Sequence, residues 1–321
     1  MNNVVELGGP HDAERVPVAT GRAVIRDRRA VRTQRIAATL TVLVPTLATA
    51  YAIGLGWQYG VSLLDICLFF GFYLLTLVGV TVGFHRLLAH RAFTADRWVK
   101  LALIVLGTWS AQGPVLHWVS NHRRHHMSSD SEDDPHSPNL SGKGIWGRFK
   151  GLCYAHIGSM FVPEVTNYVR FGPDLLRDPD VVKMNRHYLL IVVLGLLLPA
   201  AIGAAVSQSL WGAWTGMLWG GFVRMFVVHH AIWSITSLAH TFGEKVFASD
   251  DESRNSAWLA LLTGGEGWHN THHAFPKAAI FSTSSRQIDI GGVVVWSLEK
   301  LGAVRGVHRV TPDGAKTKSL L

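Results

Sequence analysis

The sequence predicts an all-α membrane protein: four transmembrane helices in two hairpins, under a cytoplasmic helical cap that holds a histidine-rich metal site. Three observations point there. Only 16% of the 321 residues are charged and 48% are hydrophobic, where a soluble domain carries about 25% charge. Four long segments are nearly free of charge. The 17 histidines are clustered, while the two cysteines, Cys67 and Cys153, are too few for a disulfide framework, a four-thiolate iron–sulfur cluster or a Cys-rich zinc module.

Taken in order, residues 1–35 form a basic cytoplasmic N-terminus, disordered over 1–20. Between Arg22 and Arg35 stand six Arg and one Asp, with no small-residue cleavage site behind a short apolar core. This is the flank of an anchor and not a signal peptide. Next, 29 uncharged residues separate Arg35 from Asp65, and 20 separate Asp65 from Arg86. Another 37 run from His187 to Val223, and 19 follow Arg224. A bilayer needs about 20 apolar residues, which places spans at about 36–56, 61–84, 188–207 and 211–235. They turn at Trp57-Gln58-Tyr59-Gly60 and Ser207-Gln208-Ser209.

The loop from 86 to 186 holds 13 Lys+Arg and the chain from 244 onward holds nine, while the hairpin turns hold none. The positive-inside rule therefore puts both termini and both large loops in the cytoplasm. Residues 101–122 are also uncharged, but Gln112-Gly113-Pro114 leaves an apolar run of only about 12, the length of an interfacial segment. Arg224, inside the fourth span, is either a snorkelling charge or a substrate contact.

The histidines fall in four places: His85 and His90 at the end of the second span, His122-Arg123-Arg124-His125-His126, His240 past the fourth span, and His269-Asn270-Thr271-His272-His273. On a helix, positions i, i+3 and i+4 lie within about 100° of arc, so each His-x-x-His-His triplet points its rings one way. Two facing triplets can surround metal from two sides. Nine nitrogen donors exceed one tetrahedral zinc and suit two metals with four to five ligands each. Neutral imidazole suits iron, zinc, copper and nickel, so the spacing does not name the metal. The His-Glu-x-x-His signature of zinc peptidases is absent. A carboxylate-bridged di-iron bundle would need two Glu-x-x-His pairs, and Glu266 with His269 is the one such spacing at these histidines. His229 and His230 are read as residues that either support the ligands from behind or pack between helices. His117, His136 and His156 flank the site, with Asp133 and Asp134 as carboxylates that could orient ligands. His11, His187 and His308 are read as surface residues.

The runs His85-Arg86-Leu87-Leu88-Ala89-His90-Arg91, His122-Arg123-Arg124-His125-His126 with Asp133-Asp134-Pro135-His136, and Gly265-Glu266-Gly267-Trp268-His269-Asn270-Thr271-His272-His273-Ala274-Phe275-Pro276 resemble the membrane fatty acyl desaturases. The likeness is to the stearoyl-CoA (delta-9) desaturase branch, bacterial type, and covers about residues 36–290, leaving 291–321 as a cytoplasmic tail. The resemblance implies two iron ions held by His85, His90, His122, His125, His126, His240, His269, His272 and His273. Three positions depart from the family. Thr236 stands where the family has an Asn near the metal, so Thr236 is expected to tune the site through water. Ser120-Asn121 and Pro163-Glu164 replace basic and acidic residues that engage CoA in the animal enzymes. The likeness thus covers the iron site but not a CoA surface.

The function implied is O2-dependent desaturation of a saturated fatty acyl chain, delta-9 in a C16–C18 chain, carried as a thioester or lipid-linked. Acid–base groups cannot remove hydrogen from an unactivated methylene; a metal-based oxidant is required. No flavin, nicotinamide or cytochrome-like module is recognisable, so a separate ferredoxin or flavin-linked reductase must supply electrons. Membrane lipid is a partner and nucleic acid is not. The expected location is the bacterial inner membrane, with the active site cytoplasmic. A related hydroxylase or ketolase is the alternative chemistry. A divalent-metal transporter fits poorly, because transporters bind at mid-membrane and these nine histidines lie at one face. Tyr73, Leu77 and Val78 on the second span are expected to line the acyl tunnel, with Val78 the best match to the facing direction of His85.

Overall fold

The computed structural model describes residues 22–320; the expected disorder over 1–20, and His11, lie outside them. Four helices are long and apolar enough to cross a membrane: α1 (Arg28–Tyr59), α2 (Leu63–Ala89) and, later in the chain, Tyr188–Ser207 and Leu210–His240. Between them come α3 (Arg97–Thr108), α4 (Val115–Ser128) and α5 (Gly144–His156). The second hairpin is α6 (Tyr188–Ser207) and α7 (Leu210–His240), followed by α8 (His269–Ala274) and α9 (Ile290–Lys300).

Local chemistry sets the helix ends. Asp27 caps α1 by accepting from the N–H groups of Arg29 and Ala30 at 3.0 and 2.9 Å. At the start of α2, Ser62 accepts from the Asp65 N–H and Asp65 accepts from the Ser62 N–H, at 3.1 and 3.2 Å. This capping box accounts for the acidic residue in an otherwise apolar span. Gln208, at φ +52°, turns α6 into α7, and Ser209 accepts from the Gly212 N–H at 3.0 Å.

The segment after α2 forms two short helices, each packed on the end of α2, and not a fifth span, since the 12 residues of α3 reach only about 18 Å. It lies directly on α2: a Cβ on Gly79 would come 2.0 Å from the Gly107 nitrogen. Arg224 holds its turn. The guanidinium is wholly buried and donates to the carbonyls of Gly220 (3.0 Å), Gly195 (3.1 Å) and Trp109. It neither snorkels nor reaches a cavity, which corrects both expectations for this residue. His229 packs beside it, with Nε2 at 2.5 Å from the Ser110 carbonyl.

Two short antiparallel pairs close the cap: Val24–Ile25 with Val165–Thr166, and Thr94–Ala95 with Val304–Arg305. The residues after 290 pack into it: Val295 and Val304 are core residues, and Lys318 donates to the Ala274 carbonyl at 2.6 Å.

Candidate metal centre

Helical winding decides which histidines meet. Five residues apart, His85 and His90 would sit about 140° apart on an α-helix. Gly79–Ala89 winds instead as a π-helix, and the His90 N–H donates to the His85 carbonyl at 3.0 Å. An i→i+5 ladder turns about 80° per residue and brings the two rings to within about 40°. Both enter one group, His85, His90, His122, His126 and His272. Its Nε2 atoms are separated by 3.0 Å (His85–His272), 2.7 Å (His90–His122) and 2.8 Å (His126–His272).

A second group joins His125, His240, His269 and His273, with 2.9 Å between the Nε2 atoms of His240 and His269. Within each group the candidate ligand atoms lie within 4.8 Å of one another. All nine expected histidines are therefore brought together, as five and four. Each triplet divides: α4 sends His122 and His126 to the first group and His125 to the second, while α8 sends His272 to the first and His269 with His273 to the second.

Carboxylates stand behind four of the rings. His125 Nδ1 is 3.0 Å from Asp134, His240 Nδ1 donates to Asp130 at 2.9 Å, His273 Nδ1 donates to Asp251, and His85 Nδ1 lies 2.5 Å from Glu266. In the three rings backed by aspartates an occupied Nδ1–H leaves Nε2 as the lone pair and aims it inward. The Nε2 atoms of His125 and His273 are buried without a hydrogen-bond partner among the described residues, as expected of donors meant for a cation. The donor set fits two transition-metal ions.

Burial, reinforced by neighbouring rings, holds His122, His126, His269 and His272 well below the usual imidazole range, and puts His273 at about 4. These are neutral imidazoles, the form that binds metal. Burial pushes His125 down too, but Asp134, Asp130 and Asp251 outweigh it and raise the ring. Burial likewise pushes those three carboxyls up, yet their bonds to histidine hold them below the usual carboxylate range.

Of the two carboxylates expected near the histidines, Asp134 reaches His125 and Asp133 does not. The Asp133 side chain is exposed, and its carbonyl accepts from Arg124 at 2.9 Å. His136 lies beside His125, ring centres 4.5 Å apart. The Thr236 hydroxyl is committed to the carbonyls of Ala155 and Trp233, at 3.1 and 3.0 Å. His117 pairs with Tyr168, and His156 with His230 and Ser237, away from the nine. His187 and His308 are exposed. Asp130, Asp251 and Glu266 also reach histidine rings, a role that the sequence pattern does not signal. Asp251 is 22 residues from its histidine, and nothing local distinguishes it from Asp250 or Glu252.

A narrow cavity of about 50 Å³ opens between the groups, walled by His85, His122, His125, His269, Trp118 and Ile232 among others. Beneath it Leu77 packs with Tyr73, Val80, Val228 and Ile232, and the Tyr73 hydroxyl donates to the Leu262 carbonyl. Val78 turns the other way, into the core shared with α3. The expected facing direction of Val78 is corrected by the same π winding, which falls behind an α-helix by about 20° per residue, or about 140° over the seven steps to His85.

Residues 64–282 match the family model for fatty acid desaturases. The chain is 45% identical over 280 residues to a hex-5-enoyl-[acyl-carrier protein] acetylenase of Moorena producens, covering 87% of each chain. It is 35% identical to an sn-1 stearoyl-lipid 9-desaturase of Anabaena variabilis, covering 72% of this chain and 78% of that one. With an sn-2 palmitoyl-lipid 9-desaturase of a Nostoc species it shares 31% identity, over 81% of this chain and 86% of the relative. Four apolar helices, two clustered histidine groups and relatives matched over most of their length converge: the chain belongs to the fatty acid desaturase family of oxidoreductases.

Proposed function

We propose that this protein inserts a double bond, at the delta-9 position, into a saturated C16–C18 acyl chain, using O2 and two irons held by the nine histidines. The observation that carries the reading is the pair of buried, inward-aimed imidazole groups opening on a cavity where the rings face Val80, Trp118, Ile232 and Ile235. Bound iron would supply the oxidant that removes hydrogen from unactivated carbons. The protein's part is position and dryness. Glu266, Asp134, Asp130 and Asp251 fix the rings, and Trp118, Val80, Ile232 and Ile235 exclude water from the space beside them. Electrons come from a separate ferredoxin or flavin-linked reductase docking on the basic cytoplasmic side of a bacterial inner membrane.

The acyl carrier is a lipid or a carrier protein in place of CoA. Ser120 is fully buried, and Asn121 is tied to His117 and Thr166, so neither is free to bind a carrier head group. Two of the relatives are named as lipid desaturases and one as an acyl-carrier-protein acetylenase. The last supports a second reading, in which the substrate is a shorter acyl chain on a carrier protein; the closed packing of Leu77 and Tyr73 beneath the cavity favours it as well. Acyl analysis of cells expressing the chain decides. New C16–C18 monoenes support the first reading, and short products on the carrier protein support the second. A gain of one oxygen in place of the loss of two hydrogens would show a hydroxylase instead.

A further inference from the structure

The anionic partners behind the nine rings are unevenly placed. The four-histidine group has three carboxylates: Asp134 on His125 at 3.0 Å, Asp130 on His240 at 2.9 Å, and Asp251 on His273. The five-histidine group has one, Glu266 on His85. That one is shared, because its other oxygen accepts from the buried Arg86 at 3.2 Å. Arg86 also donates to Asp289 at 2.8 Å. A second guanidinium, Arg123, reaches the Leu88 and Ala89 carbonyls beside His90 and pairs with Asp174. No other carboxylate lies within ion-pair reach of a ring in the five-histidine group among the described residues.

A carboxylate on the far nitrogen makes an imidazole a stronger donor, and losing such a partner typically costs 10–100-fold in metal affinity. A fifth neutral ring adds a donor but no charge. We propose that the two metal positions are unequal, and that the four-histidine position, with three of its four rings backed by carboxylates, takes the first ion and holds it more tightly. This rests on the dinuclear reading above.

The test is a calorimetric titration of the full-length chain, purified in detergent, stripped with a chelator and titrated with Co²⁺ alone. Two steps of one ion per chain are expected, with dissociation constants about tenfold apart or more. Asp251→Asn and Asp134→Asn should each weaken the tighter step about 10–100-fold and leave the other, whose survival shows that the variant is folded. Glu266→Gln should weaken only the looser step. A single step of two equal ions, or a Glu266→Gln effect on the tighter step, would overturn the proposal while leaving a dinuclear site intact. Loss of both steps in both aspartate variants would overturn the independence of the two positions on which it stands. Fewer than two ions per wild-type chain would overturn the dinuclear reading, and this inference with it.

Discussion

Leu77→Ala should shift the enzyme toward longer chains. Leu77 is 1% exposed and packs on Val80 and Ile232, two residues in the wall of the cavity beside the histidines. If the acyl chain passes the metal groups and runs down between α2 and α7, Leu77 is its floor. Truncation removes three carbons and opens room for about two further methylenes. Each buried methylene is worth about 0.8 kcal/mol, so a C18 chain gains about 1.6 kcal/mol over C16, or roughly 15-fold in preference. The same truncation costs about 2–5 kcal/mol of fold stability, so turnover must be normalised to metal-loaded protein. The assay is gas chromatography of fatty-acid methyl esters from expressing cells, reading the C18:1 to C16:1 ratio. An unchanged ratio in a variant with normal metal content would place the tunnel floor elsewhere and remove Leu77 from substrate selection.

Other outcomes follow from the same geometry. His125→Ala and His272→Ala, one from each group, should each abolish desaturation while membrane insertion persists; activity in both would sink the dinuclear centre. His308→Ala, at an exposed position, should leave product yield unchanged. Thr236→Asn and Thr236→Ala should both stay active, since the hydroxyl serves two backbone carbonyls; an inactive Thr236→Ala would make that residue part of the site. Arg224→Met should strand the Trp109 and Gly195 carbonyls at about 1–3 kcal/mol each, lowering the melting temperature of the purified protein at unchanged metal stoichiometry. An unshifted melting curve would show that the carbonyls find other partners.

The spans and the clustered histidines are legible in the sequence because both depend on composition and short spacing. Charge is absent where lipid would surround the chain, and His122-Arg123-Arg124-His125-His126 carries its helical geometry within five residues. What is not legible depends on winding or on distant contacts. The π-helix from Gly79 to Ala89 leaves no mark that hydrophobic periodicity can read, yet it sets His90 beside His85 and turns Val78 away. Asp130 and Asp251 join their histidines across 110 and 22 residues, so no local pattern names them. Arg224 is visible as an anomaly in a span, but its partners are carbonyls, which every residue has.

The C-terminal segment is where these two kinds of information meet. The family match ends at residue 282, but Asp289 lies seven residues beyond it and pairs with Arg86 beside the histidine groups. That guanidinium, which lies in sequence between His85 and His90, donates to Asp289, Glu266 and the Ala279 carbonyl, and its carbon stands 4.0 Å over the Phe281 ring. Lysine could not replace this planar fork with its stacked face. Without its carboxylates a buried cation here would cost about 3–5 kcal/mol, so Asp289 is needed wherever Arg86 is. A Cβ on Gly291 would come 2.8 Å from the guanidinium carbon, so the start of α9 closes directly on it. Glu266 then serves two masters, holding His85 at one oxygen and Arg86 at the other. The position of His85 on α2 is thereby tied, through Glu266 and Arg86, to a segment some two hundred residues downstream.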